Sequence, residues 1–438
     1  MLNQEIFMSF AELNLHASIQ KAISACGYAT PTPIQAEAIP QALSGRDLIA
    51  SAQTGTGKTA AFIIPALERL AKPGPAGIGP RVLVLTPTRE LAAQVADSVA
   101  RYGRFLRMRY GSIVGGMPYP DQVRLLRQPV DLIVATPGRL IDHLERGRID
   151  LSRVELLVLD EADRMLDMGF TDAVDQIATA TPKKRQTLLF TATMDDPMAR
   201  LAGRLLKEPS RIAISGPKAN HDSIEQRMHL TDNLGHKHKM LHHLLDDPAI
   251  TQAIIFSATK RDADSLARDL YDRGLSAAAL HGDMTQGART RTLNNLRRGR
   301  VRFLVATDVA ARGLDINGIS HVINFDLPRA AEDYVHRIGR TGRAGATGVA
   351  ISFVSPADAV YLQRIQRYTG QTVQMHTIPG LEPTSTLPVP GRGGNGAGKG
   401  RRPFVAGGQR RQGAGAGKGG AAAPKTKSGY QQRGRSQR

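Results

Sequence analysis

From Phe10 to about Pro209, short apolar runs alternate with amphipathic stretches at helical spacing, the pattern of an α/β domain built on a mainly parallel sheet. Asp47–Ser51, Arg81–Thr86, Asp131–Ala135, Glu155–Asp160 and Gln186–Thr191 read as buried strands, and each gives way to polar or glycine-rich residues. Ligands of open α/β sheets gather beyond the carboxyl ends of the strands, so the residues that follow these runs are the first candidates for chemistry. After Lys207–His221, a stretch with Pro, Gly and Ser and no sustained period, the alternation resumes in Gln252–Phe256, Ala277–Leu280, Arg302–Ala306, His321–Phe325 and Val349–Val354. The expected organisation is an α/β domain over 8–209, a linker over 210–221, a second α/β domain over 222–380 and a tail over 381–438.

Charge changes this picture at one end of the chain. Of the 438 residues, 58 are Lys or Arg and 39 are Asp or Glu, a formal charge of +19. Gly391–Arg438 contains eight Arg, four Lys and no acid, so +12 belongs to the tail and +7 to everything before it. With 15 of the chain's 44 glycines and hardly any large apolar residue, the tail is predicted to be disordered, because it cannot bury enough surface to offset the entropy of ordering. Its charge points to a polyanion such as nucleic acid.

The same composition removes several classes. One cysteine, Cys26, allows no internal disulfide and no Cys-based zinc site, and it fits a reducing compartment. No apolar run approaches the roughly 20 residues of a membrane helix, and MLNQEIFMSF has neither a basic nor an apolar leader region, so a cytoplasmic protein is expected. His236, His238, His242 and His243 have no acid or cysteine beside them in sequence to complete a metal set, and read as a solvated helix start.

Two segments carry chemistry on their residues alone. After the Asp47–Ser51 run comes Ala52, Gln53, Thr54, Gly55, Thr56, Gly57, Lys58 and Thr59, a small-residue loop whose backbone N–H groups can wrap phosphates at a helix start. Lys58 would reach the β- and γ-phosphates and Thr59 would ligate Mg²⁺; Ala52 stands where the general P-loop has glycine. The apolar Leu156–Leu159 then ends in Asp160, Glu161, Ala162 and Asp163, which puts a carboxylate at a strand tip. Asp160 can hold the metal, partly through water, and Glu161 can orient or deprotonate an attacking water.

Together these segments resemble the DEAD-box RNA helicases, and the resemblance extends from Phe10 to about Val354. It implies two tandem RecA-like domains with parallel sheets, an RNA-dependent ATPase activity, ATP and Mg²⁺ as cofactors, and RNA, single-stranded or in short duplexes, as the partner. Gly27, Tyr28 and Pro31–Gln35 resemble the family's Q motif. On that likeness Gln35 pairs with adenine and Phe10 packs on the base, although Gln35 is also an ordinary residue for a helix start.

Pro87, Thr88 and Arg89, the pair Gly115 and Gly116, and Thr136, Pro137, Gly138 and Arg139 resemble the family's RNA-binding elements, suited to phosphates and 2′-hydroxyls without reading bases. Taken singly, each could equally be a helix cap or turn. Thr191, Ala192 and Thr193 replace the family's usual Ser-Ala-Thr, which keeps both hydroxyls, adds a methyl, and puts the efficiency of coupling between nucleotide and RNA in question. On the second domain the resemblance makes Arg340 and Arg343 arginine fingers toward the γ-phosphate and Asp315 a ribose contact. It makes His336 a link to Thr191–Thr193, and Arg289 and Thr307 RNA backbone contacts. Gln286–Arg291, Ile378–Gly380 and the Gly/Arg-rich tail resemble most the RhlE-like bacterial subgroup.

The expected function is therefore ATP-driven local unwinding or remodelling of RNA without sequence preference. The family alone brings in ribosome assembly and RNA decay as settings. A DNA-directed ATPase or translocase would share the P-loop and the arginines, and an RNA-binding scaffold would need only the basic surfaces.

Overall fold

The computed structural model describes residues 9–52, 56–74, 77–214, 223–311, 314, 316, 318–342 and 346–387. Thirteen strands fall within these residues: β1 Leu48–Ser51, β2 Val82–Leu85, β3 Tyr110–Ile113, β4 Leu132–Ala135, β5 Leu156–Leu159, β6 Gln186–Thr191, β7 Ser210–Ala213, β8 Ile224–Leu230, β9 Ala253–Phe256, β10 Ala277–Leu280, β11 Phe303–Ala306, β12 His321–Asn324 and β13 Gly348–Val354. They form two sheets, ordered β3-β4-β2-β5-β6-β1-β7 and β10-β11-β9-β12-β13-β8. Every strand pair is parallel, so helical crossovers must cover both faces of each sheet.

Burial on both faces explains why the central strands read as unbroken apolar runs. In the first sheet Val82, Val84, Leu132, Val134, Leu156, Val158, Leu188 and Phe190 pack into one core, while Leu83, Leu85, Ile133, Leu157, Leu159 and Leu189 pack into the core on the other side. This is the two-residue period of a strand expressed as two separate cores. Each fully buried Val, Leu, Ile or Phe contributes about 1.5–3 kcal/mol of transfer free energy, which makes the sheet centre a stiff platform for the loops at its edge. The parallel register, with Val82 beside Leu132 and Leu156, and Ala50 beside Phe190, brings the carboxyl ends of β1, β2, β4, β5 and β6 out along one edge.

Two expected boundaries need correction, and the edge strands β3 and β8 are not among the expected runs. Ser210–Ala213, assigned to the linker, is an edge strand of the first sheet that pairs with β1 from Leu48–Ser210 to Ser51–Ala213. It has one buried side chain, Ile212, so no apolar run announces it. At the margin of the second sheet β8 pairs with β13 over seven residues, and its IEQRMHL sequence likewise hides a strand, because charged Glu225 and Arg227 alternate with the buried Ile224 and Met228. The tail begins later than Leu381: Asp232 accepts N–H groups from Thr384 at 3.0 Å and Ser385 at 2.8 Å, and Leu387 packs against the core around Tyr334. The rest of the proposed linker, from Ser215, and of the proposed tail, from Pro388, lies outside the described residues. No helix among the described residues is long and apolar enough to cross a membrane.

Candidate nucleotide and nucleic-acid clefts

A cleft of about 390 Å³ opens beyond β1 and β5 and is lined by Phe10, Gln35, Gly57, Lys58, Thr59, Asp160 and Glu161 of the first α/β half and by Arg340 of the second. Lys58 begins the helix Lys58–Leu70, and its Nζ donates to the Ala52 carbonyl at 2.7 Å, closing the loop around its own backbone. Gly57 is required just before it. Its φ of +96° lies in the left-handed region, and a Cβ there would sit 2.4 Å from Gln35 Nε2.

The Gln35 amide is engaged at both ends. Its Oε1 accepts the Thr32 N–H at 3.0 Å, completing a capping box for the helix Pro33–Leu43, while its Nε2 donates to the Gly57 carbonyl at 3.1 Å. Gln35 is therefore both a helix-start residue and a strut between the Q-motif segment and the phosphate loop. Phe10 lies in the short helix Phe10–Leu13 with its ring largely buried. Gln53, Thr54 and Gly55 lie outside the described residues.

At the tip of β5, Asp160 is buried, and burial pushes its pKa up to about 7; the charge of Lys58 opposes that shift and the charge of Glu161 adds to it. A buried carboxylate short of positive charge is a fitting ligand for a divalent cation, and Thr59 lines the same cleft. Glu161 adopts φ +52°, a left-handed conformation that costs a non-glycine residue about 1 kcal/mol, as it turns the chain from strand into the helix Ala162–Asp167.

Asp163, the last acid of the run, has a role that its place in the sequence does not announce. Its Oδ2 accepts the backbone N–H groups of Ala192 at 2.9 Å and Thr193 at 3.1 Å, which fixes the Thr191–Thr193 element to the acidic turn. The fully buried Thr191 donates its hydroxyl to the Thr193 carbonyl at 2.7 Å. Asp163 belongs to the four-residue acidic string, but its partner lies 29 residues further along the chain.

From the second half, Arg340 lines the first cleft, with Nη1 donating to the Leu314 carbonyl at 2.7 Å and Nε to the His336 carbonyl at 3.2 Å. The helix that presents it, Ala331–Ile338, is anchored by Arg337, which pairs with Asp308 at 2.6 and 2.8 Å. His336 lies on that helix half-buried, and its side chain makes no hydrogen bond to Thr191–Thr193 among the described residues. The same helix reaches the first half through Asp333, which pairs with Arg164 at 2.9 Å. Arg343 and Asp315 lie outside the described residues.

A second cleft, about 320 Å³, is lined by Pro87, Thr88, Arg89, Thr136, Gly138, Arg139 and Arg289. The Thr88 hydroxyl accepts the Leu91 N–H at 3.2 Å, so it is a helix cap at the cleft wall. Arg89 donates to Gln286 of the second half at 3.2 Å and packs against Gly116, where φ is +74° and a Cβ would meet Arg89 Nη1 at 2.2 Å. Pro137 opens the helix Pro137–Glu145 after Thr136, and Gly138 leaves open space above that turn. Thr307 follows β11, half-buried, its N–H donating to the Leu280 carbonyl at 3.3 Å.

Arg289 is placed differently from an open phosphate contact. Its guanidinium is buried, with Nε donating to Glu90 at 2.8 Å and Nη1 to the His281 carbonyl at 2.8 Å, so it ties the two halves together. Glu90 is 199 residues away in sequence, a pairing that no local pattern announces.

The histidine-rich helix also differs from expectation. An acid does approach it: Asp269 pairs with His242 Nε2 at 2.7 Å and stands 3.5 Å from His238 Nδ1. The other nitrogen of His242 faces Arg273 Nη1 at 2.6 Å, so both ring nitrogens of His242 are engaged.

Comparison with known proteins bears directly on this arrangement. Residues 32–201 match the DEAD/DEAH box helicase family and residues 236–345 match the helicase conserved C-terminal domain. The chain is 45% identical over 374 residues to the DEAD-box ATP-dependent RNA helicase CshA of Geobacillus kaustophilus, covering 85% of this chain and 79% of that one. It is 43% identical over 386 residues to the ATP-dependent RNA helicase SrmB of Escherichia coli, covering 87% and 86%. Among solved structures, Saccharomyces cerevisiae Dbp5 bound to RNA and ADP BeF3 superposes with a TM-score of 0.76 at 35% identity, covering 84% of this chain and 95% of that one.

Proposed function

The chain belongs to the DEAD-box ATP-dependent RNA helicases, and from that premise we propose how its own residues divide the work of ATP-driven RNA remodelling. The supporting observation is the cleft that unites Gln35, Lys58, Thr59, Asp160 and Glu161 with Arg340 from the other half of the molecule. Gln35 and Phe10 take the adenine, and Lys58 exchanges the Ala52 carbonyl for the β- and γ-phosphates of ATP. Thr59 and Asp160 hold Mg²⁺, which supplies charge neutralisation at the phosphates when bound. Glu161 orients the attacking water and accepts its proton, and Arg340, together with Arg343, stabilises charge on the transferring phosphoryl group.

Neither half holds a complete ATP site, so nucleotide binding favours their approach and aligns the RNA-facing elements around the second cleft. Thr88, Arg89, Gly116, Thr136 and Arg139 of the first half and Thr307 of the second grip backbone rather than bases, so RNA is engaged without sequence preference. Asp163 transmits the state of the acidic turn to Thr191–Thr193, and Arg289 joins the halves through Glu90. The setting is the cytoplasm, with ribosomal or RNA-decay assemblies as partners. The RhlE-like subgroup remains a resemblance of the segments that carry it.

The deciding experiment compares ATP hydrolysis without nucleic acid, with single-stranded RNA and with matched DNA, alongside Glu161→Gln. Stimulation by RNA alone, lost by about 10²-fold or more in the variant, is expected. Equal stimulation by DNA would point to a DNA translocase, and RNA binding indifferent to ATP would point to a scaffold.

A further inference from the structure

The helix Pro137–Glu145, which begins beside the RNA cleft, ends in a second cationic surface. Tyr119 stacks on His143, with ring centroids 4.7 Å apart and planes inclined by 27°. His143 is wholly enclosed, and burial holds its pKa below the usual range, so the floor beneath the tyrosine is a neutral imidazole. Around the Tyr119 ring lie the guanidinium carbons of Arg139 at 4.8 Å, Arg148 at 4.9 Å and Arg146 at 5.7 Å from its centroid. Asp142 does not leave a free negative charge among them: it accepts the Tyr119 hydroxyl and Nε of Arg146, the latter at 2.7 Å.

Arg146 and Arg148 are both exposed, but only Arg148 is held by the ring without a hydrogen bond from its side chain among the described residues. A guanidinium lying against an aromatic ring is oriented without using its N–H edge, which stays available for the paired oxygens of a phosphate. Arg139 and Asp142 line the RNA cleft as well as this surface, so the two are continuous.

We propose that single-stranded RNA leaving the cleft continues over Tyr119, where Arg148, assisted by Arg146, takes its backbone phosphates. The proposal rests on the helicase reading and adds an extension site outside the elements that reading uses. It makes affinity depend on RNA length, because only a strand that outruns the cleft reaches Arg148.

The test uses the full chain and three labelled single-stranded RNAs, one short enough to fill only the cleft and two that extend it at one end or the other, titrated in the presence of a non-hydrolysable ATP analogue. Arg148→Glu is expected to weaken one of the extended RNAs several-fold and to flatten its log–log salt dependence by about 0.7 for each phosphate the variant no longer neutralises. Short-RNA binding and ATPase stimulation should remain at wild-type levels. Wild-type affinity of the variant for every extended RNA would overturn the proposal, as would an equal loss on short and extended RNA, which would assign Arg148 to the cleft. Failure of the wild-type protein to bind the short RNA at all would instead remove the helicase reading beneath it.

Discussion

Arg164, directly after the last acid of the Asp160–Asp163 turn, pairs across the molecule with Asp333 at 2.9 Å, and the two side chains retain only 6% and 16% exposure. Its neighbour Asp163 holds the Thr191–Thr193 element, so one short helix connects the nucleotide turn, the coupling element and the arginine-bearing helix of the second half. Asp333→Asn removes the charge but leaves Arg164 paired with Asp167 at 3.0 Å, so the first half should fold normally. Loss of a largely enclosed interdomain pair should disfavour closure by about 1–2 kcal/mol, a five- to thirtyfold drop in RNA-stimulated kcat/KM. Because ATP favours the same closure, its affinity in the presence of RNA should fall by no more than that factor. RNA-stimulated turnover equal to wild type would show that the pair does not contribute to closure.

Gln35 offers a substitution that keeps the helix cap while altering nucleotide recognition. Glutamate at this position preserves the capping box with Thr32, because a carboxylate accepts the same N–H and favours a helix start. It cannot donate to the Gly57 carbonyl, and an acceptor would face an acceptor where Nε2 now lies at 3.1 Å. Gln35→Glu should lower the melting temperature by a few degrees while ATP affinity falls about tenfold and the preference for ATP over GTP shrinks. Unaltered nucleotide binding would reduce Gln35 to a helix cap.

The strands and the acidic and phosphate-binding loops were legible because each depends on residues adjacent in sequence. Leu156–Leu159 is apolar since both faces of β5 are buried, and Asp160 follows because the strand must end at the ligand edge. The marginal strands β3, β7 and β8 were not legible because they lack continuous apolar runs: β3 and β7 each bury one side chain, Ile113 and Ile212, and β8 mixes Ile224 and Met228 with charged residues. The ties between the halves were hidden for a different reason. Arg289 reads as an RNA contact until Glu90 arrives beside it, and Asp333 is one acid on a polar helix until Arg164 is brought to it. Such pairs are decided by domain packing, which leaves no periodicity in the chain.

His229 gives the molecule an acid-sensitive point away from both clefts. It lies on β8, and burial, reinforced by the charges of His376 and Arg227, lowers its pKa to about 4. In the unfolded chain the imidazole takes its proton near pH 6.5, so below that value the unfolded state binds more protons than the folded one. Stability is therefore complete above about pH 6.5 and declines as pH falls toward 4, with His229 responsible for about 2 kcal/mol near pH 5. His229→Leu should narrow the gap between denaturant midpoints measured at neutral pH and near pH 5. An unchanged gap would exclude His229 as its source.

The basic tail should act through charge rather than through the ATP site. Gly391–Arg438 carries +12 of the chain's +19, and the segment just before it is held where Asp232 accepts Thr384 and Ser385. Counterion release makes each phosphate neutralised on single-stranded RNA add about 0.7 to the slope of log affinity against log salt. Truncation before Gly391 should therefore weaken RNA binding most at low salt and flatten that slope, with ATP turnover at saturating RNA unchanged. Asp232→Ala, which frees the anchor but keeps every tail charge, should leave the slope near wild type. If truncation leaves the slope intact, the phosphates are neutralised by the folded halves alone; if it lowers turnover at saturating RNA, the tail takes part in the catalytic cycle itself.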